Sequence, residues 1–326
     1  MAKVNREFGT YNEWGTLREV FIGIEHDYVE PEWMTAFAWM GKDGQEYCRK
    51  YGGRKSIEVV PDQIKVLREQ IENHVKAVQK CGVKVHRNIP FKYPEEAHFL
   101  DNVQKGAVFS GGADFFRFIG KNCILLNNLR YPFRRKQVYT VRPVLEPLLK
   151  GADVRYVALP PASPHYTEND IYLENGDIML DGHNIYVGHS GLGTSDAGMD
   201  WLQQFMGHEY RIFKVPLAGS VLHLDTVLML NRPGLLTYYP ELVKEMPKPL
   251  EGWHKIKVRI EPGDGPSFGA NSLSINEKTI IMATEYERLV PEYKKRGIET
   301  IVQPYSMSMA YGSGPRCLTG VLRRDR

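Results

Sequence analysis

The feature that most constrains this chain is a recurring order of elements. A stretch of helical spacing runs into a glycine, and a short alternating strand follows. Residues 63–80 carry Ile64, Leu67, Ile71, Val75 and Val78, then Gly82, then an alternating 83–85. The order returns at 136–150 with Gly151 and 154–159, and at 197–206 with Gly207 and 210–215. It returns again at 286–296 with Gly297 and 298–302. Apolar residues three and four apart line one face of a helix, and a glycine just past its end takes the left-handed cap. Between 227 and 260 the helical spacing fades, although 256–260 still alternates.

Each of these stretches follows a hairpin signal. Residues 116–119 and 123–126 flank Gly120-Lys121-Asn122, and 178–180 and 185–187 flank Asp181-Gly182. Residues 227–230 and 235–237 flank Arg232-Pro233-Gly234, and 273–275 and 279–282 flank Asn276-Glu277-Lys278. Short turns between alternating runs join antiparallel strands. A first, interrupted unit opens at Leu17-Arg18-Glu19-Val20-Phe21-Ile22. The expectation is an α/β fold of five strand–strand–helix–strand (ββαβ) units, arranged as a pseudo-symmetric α/β propeller over one domain, 1–326, with a central active site. A two-domain mixed α/β chain is the alternative. Residues 25–56 fit no unit and are rich in aromatics, which predicts a lid or binding loop. Shorter loops at 160–169 and 261–270 could rim a pocket.

Bulk properties narrow the function. Lys+Arg 42 against Asp+Glu 39 gives a net charge of only +3, and no long basic run favours nucleic acid. No apolar stretch approaches the roughly 20 residues of a membrane helix. The N-terminal residues lack the apolar core of a signal peptide, so a cytoplasmic location is expected. The cysteines, Cys48, Cys81, Cys123 and Cys317, have no paired spacing that would make a disulfide frame or a zinc ribbon.

Chemistry concentrates in four places. In Tyr311-Gly312-Ser313-Gly314-Pro315-Arg316-Cys317-Leu318-Thr319-Gly320 a cysteine follows an arginine in a tightly bent backbone. A neighbouring guanidinium favours the reactive thiolate, whereas a buried structural cysteine is the plainer alternative. In Val221-Leu222-His223-Leu224-Asp225-Thr226-Val227, read as a strand, His223 and Asp225 share one face. A core histidine bonded to a carboxylate would look the same. A metal set with His183 or His189 lacks any supporting spacing. Glu174-Asn175-Gly176-Asp177 puts two carboxylates on a turn ahead of a strand, where Glu174 could orient His223 and Asp177 brace the turn. Asp114, after Gly111-Gly112-Ala113, stands at the start of its own unit in the same way. A thiol, an imidazole and a group to orient it form an activated nucleophile. The spare carboxylates Asp114 and Asp225 match the donor fork of a planar guanidinium.

The chain resembles the guanidino-group-modifying superfamily, nearest to the arginine:glycine and inosamine-phosphate amidinotransferases. The resemblance runs through Asn12-Glu13-Trp14, Leu17-Arg18-Glu19-Val20, Asp114, Glu174-Asn175-Gly176-Asp177, His223-Leu224-Asp225, Pro233-Gly234-Leu235, Asn271, Gly312–Cys317 and Arg323-Arg324. It implies the five-unit propeller, a Cys317–His223–Glu174 catalytic triad, and Asp114 and Asp225 as substrate-binding guanidinium ligands. It implies small-molecule partners, a guanidino donor and an amine acceptor, linked through a covalent amidino-cysteine. A homodimer is compatible with it, and no cofactor or metal is implied. Hydrolysis at the same residues and ligand binding without turnover are the alternatives. The chain departs from the pattern at Ala113, at Leu242 (where those enzymes have a carboxylate-gripping arginine), and at Arg316 (where they have histidine).

Overall fold

The computed structural model describes residues 7–24, 29–90, 102–106, 114–168, 170–262 and 267–326. Its strands form five three-stranded sheets. Four of them are continuous in sequence: Phe116–Ile119, Asn122–Leu125 and Arg155–Ala158; Ile178–Asp181, Asn184–His189 and Arg211–Pro216; Leu228–Arg232, Leu235–Tyr238 and His254–Lys257; Leu273–Asn276, Thr279–Ala283 and Glu299–Gln303. In each, the central strand runs antiparallel to the first and parallel to the third. A hairpin needs only a short turn, whereas the parallel return needs a crossover, and the stretch of helical spacing supplies it. The architecture is the five-unit α/β propeller.

The first unit explains why its sequence looked interrupted. Leu17–Ile22 is its central strand and pairs in parallel with Lys84–His86. Its antiparallel partner is Thr319–Arg324, from the other end of the chain. The last strand therefore takes the place that the first hairpin strand holds in the other units, and it closes the ring.

The crossovers follow the predicted pattern. The helix Pro61–Lys80 starts on a proline and buries Ile64, Leu67, Ile71, Val75 and Val78. Full burial of one such side chain is worth about 1.5–3 kcal/mol. Gly82 and Gly207 end two of the helices at φ +79° and +69°, a backbone region that favours glycine. Val138–Leu149 and Asp196–Met206 cross over in the next two units. In the fourth unit only a turn of 3-10 helix, Lys248–Leu250, replaces the crossover helix, as the faded periodicity implied. First strands such as Phe116–Ile119 are wholly buried, whereas the third strand Arg155–Ala158 is largely exposed. First strands thus face the centre of the ring and third strands its rim.

Two expectations are corrected. Residues 221–227 are not a strand: Leu224–Val227 is a helical turn that His223 precedes in extended conformation. His223 and Asp225 are both buried there. The stretch 25–56 is not a plain loop, for it holds the 3-10 turn Thr35–Phe37 and the helix Lys42–Tyr51. Residues 25–28, 169 and 263–266 of the expected loops lie outside the described residues, as do Gly111, Gly112 and Ala113.

Candidate active site

Each unit contributes a polar residue from the turn just ahead of its inner strand. These are Asp114, Glu174, Asp225, Asn271 and Cys317, the last ahead of Thr319–Arg324. All five are buried. Pseudo-symmetry brings equivalent turns to one end of the ring, so residues up to about two hundred positions apart become neighbours. A rigid scaffold that presents functional groups on its connecting segments is a common arrangement.

His223 and Glu174 form the first half of the site. His223 Nε2 lies 2.6 Å from Glu174 Oε2. The backbone N–H of Arg130 donates to Glu174 Oε1 at 2.9 Å, and Arg134 Nη1 donates to Oε2 at 2.6 Å. Burial works against the charge of Glu174, but Arg134 and His223 outweigh it and hold the carboxyl well below its usual range. Burial also works against a charged imidazole, yet the hydrogen bond and charge of Glu174 raise His223 to about 9. His223 is therefore an imidazolium at neutral pH. Gly176 makes this approach feasible, since a Cβ there would lie 2.7 Å from His223 Cγ and Nδ1. Asp177 braces the turn by accepting from Leu224 N at 3.0 Å and Thr194 N at 2.9 Å.

Cys317 and Asp225 form the second half. Cys317 is 4% exposed, and its thiol donates to Asp225 Oδ2 at 3.2 Å. Asn271 Nδ2 donates to the sulfur at 3.1 Å and to Asp225 O at 3.0 Å. Arg316 is buried. Its Nη1 donates to Asp225 Oδ2 at 2.9 Å, its Nη2 to Ile178 O at 2.7 Å, and its Nε lies 3.5 Å from Glu13 Oε2. Arg316 couples to the thiol electrostatically, but that is outweighed. Burial, with Asp225 and Asp114, pushes Cys317 well above its ordinary range. Asp225 Oδ1 is buried and has no hydrogen-bond partner.

Two arginines that sequence reasoning missed or left open hold the carboxylates of the site. Arg134 spans Glu174 and Asp114, with Nη2 donating to Asp114 Oδ2 at 2.7 Å. Neither carboxylate at 114 or 225 is wholly spare, then, because an internal guanidinium takes one oxygen of each. The side chains of Arg134, Arg135 and Lys136 are all buried. His183 and His189 pair with Glu209 and Asp196, away from His223. Among the described residues no group of three or more His, Cys, Asp or Glu side chains could hold a metal ion. None of their helices is long and apolar enough to cross a membrane.

A cavity of about 540 Å³ leads to the site from outside. It is lined by Asp114, Arg134, His223 and Ser313, and by Phe37, Trp39 and Tyr47 from the stretch that fitted no unit. Leu242 is not among its lining residues.

No protein-family model matches the chain. Amidinotransferases aligned over nearly the whole chain are among its curated relatives. The L-arginine:L-lysine amidinotransferase of Pseudomonas savastanoi pv. phaseolicola is 22% identical, across 97% of this chain and 94% of that protein. Inosamine-phosphate amidinotransferase 1 of Streptomyces griseus is 25% identical, across 96% of each. Among solved structures, SxtG, an amidinotransferase from Microseira wollei in the saxitoxin biosynthetic pathway, shares the fold. Its TM-score is 0.81, with 22% identity over 98% of both chains.

Proposed function

We propose that this chain is an enzyme that transfers an amidino group from a guanidino donor to an amine acceptor through a covalent amidino-cysteine at Cys317. The observation that carries this reading is the buried, unpartnered Oδ1 of Asp225, whose other oxygen lies 3.2 Å from the Cys317 sulfur. An unmet buried acceptor costs free energy unless a donor fills it. A guanidinium N–H on that oxygen brings the central carbon of the cation to the thiol. The near full-length similarity to amidinotransferases supports the same chemistry.

In this reading Asp225 and Asp114 hold the donor cation, and its positive charge offsets the two carboxylates that keep the thiol protonated. The sulfur attacks the guanidino carbon and the S–C bond forms. As the C–N bond to the donor amine breaks, His223 gives its proton to that nitrogen, and the proton lost by the thiol recharges the imidazole. Glu174 keeps the ring in place and stabilises its charged form, the role of the orienting acid in other nucleophile–base pairs. The acceptor amine then attacks the same carbon, the C–S bond breaks, and the proton shed by the amine returns through His223 to the sulfur. Water in place of the amine would make the same residues a hydrolase with a urea-type product, and exclusion of water works against that.

Incubation with a guanidino donor, followed by intact-protein mass measurement, tests the reading. An adduct of one amidino group, absent in Cys317→Ala and discharged by an added amine as a new guanidine, is expected. Failure of every guanidine to modify Cys317 overturns the covalent route, and discharge only to urea overturns transfer.

A further inference from the structure

The cavity itself restricts what can reach the site. It is walled by Phe37, Trp39, Tyr131, Phe133, Leu222 and Tyr311. The charged side chains among its described lining residues are Glu30, Asp43, Asp114, Arg134 and His223. Both cations are committed to Glu174, and Arg134 also to Asp114. The buried acid Glu30 accepts at Oε1 from Tyr47 Oη at 3.0 Å and Ser56 Oγ at 2.6 Å. A substrate anion brought into this cavity would meet aromatic faces and acids, with no uncommitted cation among the described lining residues. An unpaired charge removed from water is heavily disfavoured. A cationic head on an apolar stem meets complementary surfaces at both ends instead, and aromatic faces attract cations.

Resting on the transfer reading, we infer that both substrates of this cavity are amines and guanidines carried on an alkyl or aryl body without a carboxylate or phosphate. A ping-pong transfer passes donor and acceptor through the same space, so one rule governs both. The donor class is that of decarboxylated, arginine-like guanidines, and the acceptor class is primary alkyl- or arylalkylamines.

The test is a binding titration of Cys317→Ser, which cannot turn over, with phenethylguanidine, agmatine and arginine. Agmatine is arginine without its carboxylate. Both carboxylate-free guanidines are expected to bind at least about tenfold tighter than arginine. Arginine binding as tightly as either, or neither carboxylate-free guanidine binding, overturns the inference. Asp43→Arg places a cation on the lining at an exposed position, and it should narrow the gap between agmatine and arginine by about fivefold. An unchanged gap counts against the inference. Because this titration needs no chemistry, its result is independent of the mass-adduct experiment. Absence of any adduct would sink covalent transfer while leaving the binding preference readable.

Discussion

Glu174 Oε2 and His223 Nε2 lie 2.6 Å apart with both residues buried, and the same oxygen accepts from Arg134. One carboxylate therefore charges the imidazole and anchors the arginine that reaches Asp114. Burying three ionised groups together is favourable only while each is paired, so this cluster answers as a unit to any single change.

His223→Ala should lower turnover by about 10²–10⁴, the usual contribution of a positioned acid–base group. Glu174→Gln should retain a fraction of the activity, because an amide can still orient the ring. In that variant the imidazole should titrate below about 9, since the charge that raised it is gone. NMR titration of His223 checks this, and a titration still near 9 would remove Glu174 as the cause.

The pair also predicts how stability depends on pH. His223 is raised from 6.5 to about 9, so its contribution is full below 6.5 and lost as pH rises through 9. Glu174 is lowered, so its contribution is present above the ordinary carboxylate range and lost only as pH falls through its depressed value. Unfolding midpoints of the wild type and His223→Gln should therefore converge as pH is raised past about 9. A gap that stays constant to higher pH would contradict the raised imidazole.

Gly176→Ala should cost about 1–3 kcal/mol, the range for overfilling a packed site. The added carbon would lie 2.7 Å from His223 Cγ and must displace the ring. Activity is expected to fall more than stability. Denaturation and kcat measured on one preparation separate the two effects.

Asp225→Asn should act in opposite directions on the thiol and on the reaction. Burial is the main cause of the high Cys317 pKa, but Asp225 adds to it. Removing that charge should let the thiol ionise at lower pH, seen as faster alkylation of Cys317. Amidino loading should nonetheless be lost, because the cation has no acid beside the sulfur. Normal loading in this variant would rule out Asp225 as the guanidinium ligand.

Leu322→Ala should destabilise the chain by about 2–5 kcal/mol in urea unfolding. Leu322 is fully buried in the strand that closes the ring. A loss confined to a few tenths of a kcal/mol would show that closure adds little.

Much of this was legible in the chain itself. Helical spacing at Ile64, Leu67 and Ile71, the glycines that end the helices, and the turns around Asp181-Gly182 and Gly234 are local signals, set within ten or twenty residues. They fixed the order of units and put Glu174 and Asp114 at equivalent places. The turn at Leu224–Val227 was misread because alternating apolar and polar residues over so short a span suit a strand and a single helical turn alike.

Local pattern alone determined that similar units follow one another and that Asp114 and Glu174 stand at the starts of theirs. Ring closure decided the rest: that the last strand completes the first unit, that Arg134 and Arg316 turn inward, and that Asp225 keeps one oxygen unmet beside the thiol. The physical reason is that a buried charge persists only where a partner meets it. Those partners, such as Arg316 and Glu13 or His223 and Glu174, come from distant units that only packing brings together.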